Sequence, residues 1–284
     1  MNMNLANLQL LAEVDISGNF LSMIPEAIFG IPNISIINIS NNRIAGFKVP
    51  AKSWLSMTQL NLSKNVFTEL PLSLFDVASI KTLQVANNLL SHVQPQFNFL
   101  QNIANLDISS NILENVEGLS FLFNLKSLNA SKNKITNMSH NFGGFSDLQE
   151  LHLDDNPLDF PPIEVTSMGS QSTLALMRQL FEGFKNGSLD IQAFGLRALS
   201  IQLLRIDHLL VLNARNNSIF IIPPQIGLLT SLQELYPDDN RIGSIPAQVK
   251  LLLYLLMTTQ TQSNRSLRFI NAACLLYSAL KGTH

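Results

Sequence analysis

Residues 148–156, LQELHLDDN, contain the pattern that decides the fold of this chain. They follow the form Leu-x-x-Leu-x-Leu-x-x-Asn, in which x is a variable residue. The same form returns along almost the whole sequence, and its asparagine position falls at Asn19, Asn42, Asn65, Asn88, Asn111, Asn133, Asn156, Asn217 and Asn240. Successive asparagines are 23 residues apart, with one step of 22, until a longer step follows Asn156. A fixed period of this length indicates a stack of similar structural units.

Each unit of the pattern predicts a short strand followed by an irregular return. Apolar and variable residues alternate in the x-Leu-x-Leu-x portion, which is the period of a strand with one buried face. The second half commonly carries an apolar residue before proline, as at Ile24-Pro25 and Leu70-Pro71. Because proline fixes φ and lacks an N–H donor, it favours an irregular or short-helical return over a second strand.

These features predict an α/β leucine-rich-repeat solenoid. One repeat cannot bury its own apolar face, so the stack is the folding unit. The expected shape is a curved horseshoe with a parallel concave sheet and an irregular or short-helical convex side. The asparagines are expected to form a ladder inside the stack, since they can satisfy backbone groups where the chain turns out of each strand.

The spacing of the repeats divides the chain into three predicted parts. They are a first block of about seven repeats over residues 1–160, a helical insertion over 161–187, and a second, degenerating block over 188–284. Within the insertion, the apolar spacing predicts an amphipathic helix over residues 172–184, with Ser170 or Ser172 as its cap.

The second block departs from the pattern in several places. Phe194 stands where asparagine is expected, and Pro237 occupies an inward strand position where leucine is usual. Proline is poorly tolerated within a sheet, so a local defect in the strand ladder is expected there. A last, degraded repeat ending at Asn264 brings the expected total to about 11 repeats.

Composition narrows the class of protein. Hydrophobic residues make up 46% of the chain and charged residues 13%, which excludes disorder. The net charge of −2 gives no general attraction to nucleic acid or acidic membranes. Cys274 is the single cysteine, so no intramolecular disulfide is possible, and this favours a reducing compartment.

The termini favour a cytoplasmic protein. The first 17 residues lack the basic start and apolar centre of a signal peptide. The apolar run over residues 251–257 is far shorter than the roughly 20 residues that span a bilayer. We therefore expect no membrane span, and the oligomeric state stays open.

The stretch after the first block resembles a known group of repeat proteins. Asn156-Pro157-Leu158, then Pro161-Pro162 and a helix, is similar to the helix-bearing NPL-x-x-PP insertion of intracellular leucine-rich-repeat proteins. That group includes the plant Ras-group-related proteins and the long two-block repeat proteins of eukaryotes. The repeat resemblance covers about residues 5–250. It implies a cytoplasmic scaffold in small-GTPase or kinase signalling.

The concave face is the expected binding surface, because variable strand positions point there in a solenoid of this type. The first six repeats carry mostly amides and hydroxyls at these positions, and acidic residues concentrate in later repeats. The candidate partner-binding residues are Glu150, His152, Asp154, Asp155, Asp190, Arg215, Glu234, Tyr236, Asp238 and Asp239. One hypothesis is that the acids bind a basic surface of a partner protein; the alternative is that they only maintain solubility.

For several aromatic residues the sequence also allows either a structural or a partner-binding role. His152 and Tyr236 occupy equivalent positions and are either contact anchors or filler, since aromatics are enriched at binding hot spots. Trp54, the only tryptophan, is predicted to be buried in the convex core, with partner binding as the alternative. Phe29 and Phe75 are predicted core residues.

No catalytic motif is present. The sequence has no phosphate-binding loop, no His-Glu-x-x-His motif and no paired-cysteine metal spacing. His152 and Asp154 stand at alternate strand positions without an identifiable third partner. We predict that the chain is not an enzyme and has no cofactor or metal site.

The expected function is a protein–protein interaction scaffold or adaptor that binds its partner through the concave face. The alternative is a secreted or surface structural repeat protein. Its support would be glycosylation at triplets such as Asn38-Ile-Ser40, Asn61-Leu-Ser63 and Asn129-Ala-Ser131. These triplets also fall inside the repeat pattern, where asparagine and serine are common.

Overall fold

The computed structural model describes residues 7–244 and 246–247, which belong to two compact units. Unit 1 comprises Met1–Ser139 and Phe145–Leu158, and unit 2 comprises His140–Gly144 and Asp159–His284. The expected last repeat at Asn264, the apolar run over 251–257 and Cys274 lie outside the described residues. No helix in the described part of the chain is long and apolar enough to cross a membrane.

Unit 1 contains a parallel sheet of seven strands that lie in chain order. The strands are β1 (Glu13–Asp15), β2 (Ile36–Asn38), β3 (Gln59–Asn61), β4 (Thr82–Gln84), β5 (Asn105–Asp107), β6 (Ser127–Asn129) and β7 (Glu150–His152). Equivalent repeat positions are paired throughout, as in the alignment of Gln84 with Asp107 across β4 and β5. This confirms the predicted leucine-rich-repeat solenoid of the α/β class.

The returns between strands are mostly short 3₁₀ helices. In unit 1 they cover Glu26–Gly30, Leu72–Asp76, Pro95–Phe99 and Glu117–Leu119. Pro25 and Pro71 directly precede two of them, with φ of −57° and −61°. These values are the ones that the pyrrolidine ring imposes, so the prolines set the direction in which the chain enters the return.

The core of unit 1 lies between the sheet and these returns. Phe75 is 2% exposed, and its ring centroid lies 5.2 Å from that of Phe97 in the next repeat. Trp54 is also 2% exposed and packs 4.9 Å from the ring of Phe29, so the prediction of a buried tryptophan is confirmed. Phe29 itself, expected in the core, is only half-buried.

Unit 2 combines two helices with a smaller parallel sheet. The helices are α1 (Ile163–Thr166) and α2 (Ser170–Asn186), and the strands are β8 (Ser188–Asp190), β9 (Val211–Asn213) and β10 (Glu234–Tyr236). Its 3₁₀ helices cover His140–Gly144, Ile201–Leu204 and Pro224–Leu228. The amphipathic helix predicted in the insertion is therefore present, and it is longer than expected.

The start of α2 corrects the predicted cap. Ser170 is already the first helical residue, so neither Ser170 nor Ser172 is the N-cap. That position belongs to Gly169, whose φ of 95° and ψ of −179° are accessible mainly to glycine. The Gly169 carbonyl accepts hydrogen bonds from the Thr173 N–H at 3.1 Å and the Thr173 hydroxyl at 3.0 Å.

The 3₁₀ helix His140–Gly144 lies directly against α2. A Cβ on Gly143 would overlap the backbone carbonyl of Met177, and one on Gly144 would lie 2.7 Å from the Phe181 ring. The His140 ring stacks on Phe184 with centroids 3.8 Å apart, and burial lowers the pKa of His140. Gly143 thus permits a backbone approach that any larger residue would prevent, and Gly144 leaves room for the Phe181 ring.

The two departures in the second block have limited local effects. Pro237 follows β10 rather than interrupting it, and the ladder toward β9 is intact because the Ala214 N–H donates to the Tyr236 carbonyl at 2.8 Å. The expected ladder defect is therefore absent on that side. Phe194 belongs to the repeat that contains β8. The element packed before β8 is the helix α2 and not a strand, so there is no preceding strand exit whose backbone an asparagine would bind.

Candidate functional site

The exposed face of the seven-stranded sheet, called the open face below, corresponds to the predicted concave surface. Because successive strand residues point to opposite sides, the middle residue of each strand faces the core and its neighbours face outward. One outward column contains Glu13, Ile36, Gln59, Thr82, Asn105, Ser127 and Glu150. The other contains Asp15, Asn38, Asn61, Gln84, Asp107, Asn129 and His152. Both columns are partly or fully exposed.

Beneath the strand exits, the repeat asparagines bind the backbone of two consecutive repeats. The Asn88 amide nitrogen donates to the carbonyls of Leu62 at 3.1 Å, Val85 at 3.0 Å and Ala86 at 3.3 Å. Its oxygen accepts the Phe67 N–H at 3.0 Å. The same four bonds recur at Asn42, Asn65, Asn111, Asn133 and Asn156 in unit 1, and at Asn217 and Asn240 in unit 2. This asparagine ladder fixes the backbone on which the open face is built.

Most residues of the second outward column also bind the backbone, a role that was not recognised from the sequence. The side-chain oxygen of Asn61 accepts the N–H of Ser63 at 2.9 Å, and Asp107 accepts that of Ser109 at 3.0 Å. Asp15, Asn38 and Asn129 make the same contact with the serine two residues later. These are Asx turns, in which a side chain replaces a backbone acceptor. The sequence contained one indication of these turns, because asparagine and aspartate replace each other at this position. The two residues share only a side-chain acceptor oxygen.

The Asx turns explain the Asn-x-Ser triplets at Asn38, Asn61 and Asn129. In two other repeats the same position carries Asp-x-Ser, at Asp15 and Asp107, and forms the same turn. The position therefore requires an acceptor oxygen and not an asparagine. Hydrogen bonds from the Ser17 side chain, the Ser17 N–H and Asn38 also hold the pKa of Asp15 below its ordinary value.

The acidic candidates in unit 1 occupy the last strand of the sheet. Glu150 and His152 are exposed on the open face, and Asp154 and Asp155 are exposed at the strand exit. The Ser127 hydroxyl donates to the Glu150 carboxylate at 2.8 Å. Within residues 7–244, no ion pair involves these three acids, and no hydrogen bond joins His152 to Asp154. This arrangement presents negative charge to solvent.

The candidates in unit 2 form a connected cluster. The Arg215 Nε donates to the Asp238 carboxylate at 2.9 Å, and the guanidinium lies 4.2 Å over the Tyr236 ring. The Tyr236 hydroxyl donates to Glu234 at 2.6 Å. Since the charge of Asp238 is balanced by Arg215, this cluster in unit 2 is less acidic than its sequence suggests.

Two further candidates lie outside these contacts. The Asp190 carboxylate accepts the Gln192 N–H at 3.0 Å, which is an Asx turn of the type found in unit 1. Asp239 is exposed and has a φ of 54° at the turn after β10. Among the residues described, no three His, Cys, Asp or Glu side chains are grouped in a way that could hold a metal ion.

Comparisons with known proteins give the fold. No protein-family model matches the chain, and no curated protein sequence matches it. Among solved structures, a leucine-rich-repeat protein of Leptospira interrogans is similar, with 23% identity and a TM-score of 0.51 over 87% of this chain and 54% of that protein. An internalin of Listeria monocytogenes is similar over 87% of this chain and 60% of its own, with 16% identity and a TM-score of 0.49.

A plant peptide hormone receptor, solved in complex with RGF2, is similar over 87% of this chain and 39% of its own. Its sequence identity is 19% and its TM-score 0.48. The present chain spans about half the length of the Leptospira protein. The likeness to that protein, together with the parallel register of the strands, establishes the leucine-rich-repeat fold.

Proposed function

We propose that this chain is a non-enzymatic protein-interaction module whose open face binds a partner protein. The observation that carries the proposal is the pair of exposed side-chain columns across seven strands, on a backbone fixed by the asparagine ladder. A face that is already ordered loses little conformational entropy on binding. The column that begins with Glu13 makes no Asx turn, so its side chains are the freer of the two columns to vary with the partner.

The chemistry of the face favours a partner with a polar surface and a basic group at one end. Asn61, Gln84 and Asn105 in the central strands offer neutral amide donors and acceptors. At β7, the exposed carboxylates of Glu150 and Asp154 carry charge without an ion-pair partner in the part of the chain that is described. Complementary charge contributes to specificity and association rate more than to raw affinity.

In unit 2, we propose that the cluster of Arg215 and Tyr236 is a second contact. Tyrosine and arginine are enriched at hot spots, and these two are already held in place by Glu234 and Asp238. Asp190 and Asp239 are exposed beside the same strands and extend the proposed contact.

We further propose a cytoplasmic scaffold in small-GTPase or kinase signalling. Support comes from the resemblance of Asn156-Pro157-Leu158 and Pro161-Pro162 to the insertion of intracellular repeat proteins. The alternative of a secreted or surface repeat protein rested on Asn-x-Ser triplets. Three of those triplets, at Asn38, Asn61 and Asn129, form Asx turns, so their recurrence by itself does not favour that alternative.

Charge reversal of the open face tests the proposal. We expect the double variant Glu150→Lys and Asp154→Lys to retain no more than about one tenth of the specific partner that the wild-type chain retains. The reason is that basic groups of the partner would meet like charge. The measurement is a quantitative pull-down from a lysate of the source cells, with circular dichroism as the check on folding.

The matched control is Glu26→Lys with Asp76→Lys, which makes the same charge change at exposed positions in the returns of unit 1. Partners that are lost with the open-face variant and kept with the control support the proposal. Equal retention by both variants would show that the acids of β7 do not take part in binding.

A further inference from the structure

Three exposed apolar residues, called the flank row below, line the side of unit 1 on which the chain leaves the strands. They are Val66, Leu89 and Ile112, each directly after a ladder asparagine, and they are 41%, 48% and 40% exposed. The residues that follow the first two, Phe67 and Leu90, are buried. Because adjacent residues of an extended chain point to opposite sides, the core takes one residue and leaves the flank row outside.

The backbone beneath the flank row is held in a regular ladder. The Leu89 N–H donates to the Phe67 carbonyl at 2.8 Å, and the Ile112 N–H donates to the Leu90 carbonyl at 3.0 Å. The Leu90 N–H in turn donates to the side chain of Asn111 at 3.0 Å. Backbone ladders of this kind place neighbouring chain segments about 4.8 Å apart. The side chains of the flank row therefore project at nearly even steps from a surface that is already ordered.

Basic side chains lie at both ends of the flank row. Arg43 precedes it at the equivalent repeat position, and Lys134 follows it. Lys64 and Lys132, at the turn before each ladder asparagine, share a φ of 55° and so leave equivalent turns. All four cations are exposed, and none of them forms an ion pair in the described part of unit 1. Charge complementarity therefore calls for acids at both ends of an occupant.

The neighbouring row of residues leaves the flank row accessible. Ala45, Thr68 and Ser91, each three residues after a ladder asparagine, are small and exposed. Glu114 continues this row two residues after Ile112 and disfavours a partner acid at that place. The acids of an occupant thus belong beyond the apolar residues, beside the cations.

The step between repeats selects the conformation of the occupant. The three members of the flank row span about 10 Å, which is two ladder steps. Apolar residues at i, i+4 and i+7 of an α-helix share one face and span about 10.5 Å along its axis. Three alternate residues of an extended strand span about 13 Å. A helix laid across the repeats therefore matches the flank row better than an extended segment does.

The cations set the length of that helix. Arg43 and Lys134 are four repeats apart, or about 19 Å, and Lys64 and Lys132 are three repeats apart, or about 14 Å. At a rise of about 1.5 Å per residue, a helix of about 14 residues reaches both ends. Its carboxylates would then lie in its first and last turns.

We propose that the flank row is a docking site for an amphipathic helix of a partner protein, with apolar residues on one face and carboxylates in its first and last turns. The site shares no residue with the two outward columns of the open face or with the cluster in unit 2. It can therefore fail or succeed independently of the proposed function.

The test uses a fluorescein-labelled, alanine-based peptide of about 14 residues, with leucine at i, i+4 and i+7 and glutamates in its first and last turns. Its anisotropy is measured with the full chain. We expect the affinity to fall about tenfold in Leu89→Gln, which removes the central apolar contact. The matched control is Leu72→Gln, at a 63% exposed leucine on the return after β3, and it should bind like the wild type. No binding by the wild-type chain, or equal binding by both variants, would overturn the proposal.

A charge arm tests the ends of the flank row. Lys132→Glu with Lys134→Glu should weaken binding by at least about tenfold, because the carboxylates of the peptide would meet like charge. Lys81→Glu with Lys126→Glu makes the same charge change at exposed positions just before β4 and β6, and should stay within about twofold of the wild type. Equal weakening by the two pairs would mean that only net charge matters, which contradicts the proposed site.

A last measurement does not depend on the folding of a variant. A peptide with proline in place of its central alanines keeps the charges and leucines but cannot form the helix, and we expect it to bind the wild-type chain at least about tenfold more weakly. Equal binding by this peptide would show that no helix is recognised and that the proposal is wrong. The open-face variant Glu150→Lys with Asp154→Lys should not weaken binding of the original peptide, which separates the two sites.

Discussion

Replacing Asn88 with alanine is expected to lower the free energy of unfolding by about 3 kcal/mol or more. The side chain is 6% exposed and makes four hydrogen bonds, two of them to the preceding repeat. Alanine would leave the Phe67 N–H and three carbonyls without these partners in a buried place. Urea unfolding followed by circular dichroism measures the loss, and amide exchange at Phe67 should rise well above that of distant repeats.

Asn19→Ala is the matched control, because it removes the same side chain from the repeat of β1. Asn19 is exposed, and within residues 7–244 its amide bonds only to its own repeat. We expect a loss of about 1 kcal/mol or less. If the two variants lose equal stability, the bonds between repeats do not contribute in the way that the ladder geometry indicates.

A second large effect is expected at Gly143. A methyl group there would overlap the Met177 carbonyl, so the 3₁₀ helix His140–Gly144 must move away from α2. Overpacking typically costs about 1–3 kcal/mol, and a clash with a backbone that cannot rotate aside lies at the upper end of that range. Thermal unfolding measures the loss, and amide exchange along α2 should increase.

Gly30→Ala provides the comparison, since Gly30 also ends a 3₁₀ helix and an added Cβ would meet nothing within 4 Å. We expect its stability to stay within about 0.5 kcal/mol of the wild type. Similar losses in both variants would mean that glycine is needed in these returns for chain flexibility and not for contact with α2.

The strands and the sheet could be predicted because the repeat supplies the same evidence many times. The alternation at residues such as Leu83 and Val85 marks the buried side of each strand, and both are 0% exposed. The start of α2 could not be found in this way, because a serine near a helix start usually indicates a cap. Here the conformation of Gly169 decided the boundary.

The packing of His140–Gly144 on α2 also could not be predicted from the sequence. The pair Gly143-Gly144 is visible in the sequence, but nothing local identifies Met177 and Phe181 as the groups that approach it. Contacts between elements that do not follow the repeat depend on how the whole unit packs. Periodicity carries no information about them.

Within the candidate site, the column positions followed from strand alternation, whereas the pairing of side chains did not. Arg215 and Asp238 are 23 residues apart, which is one repeat, so their ion pair follows from the register once that register is known. The Asx turns were missed for a related reason. Asn61 and Ser63 were interpreted as surface residues, although the recurrence of Asn or Asp before Ser indicated a backbone contact.

The most direct measurement of the proposed function is site-specific photo-crosslinking. A photoreactive residue at Gln84, at the centre of the open face, is compared with one at Asp76, exposed on the return of the preceding repeat. We expect the partner retained in the pull-down to crosslink at position 84 and not at 76, and Glu150→Lys with Asp154→Lys to abolish the crosslink. A partner captured at position 76 but not at 84 would contradict binding through the open face.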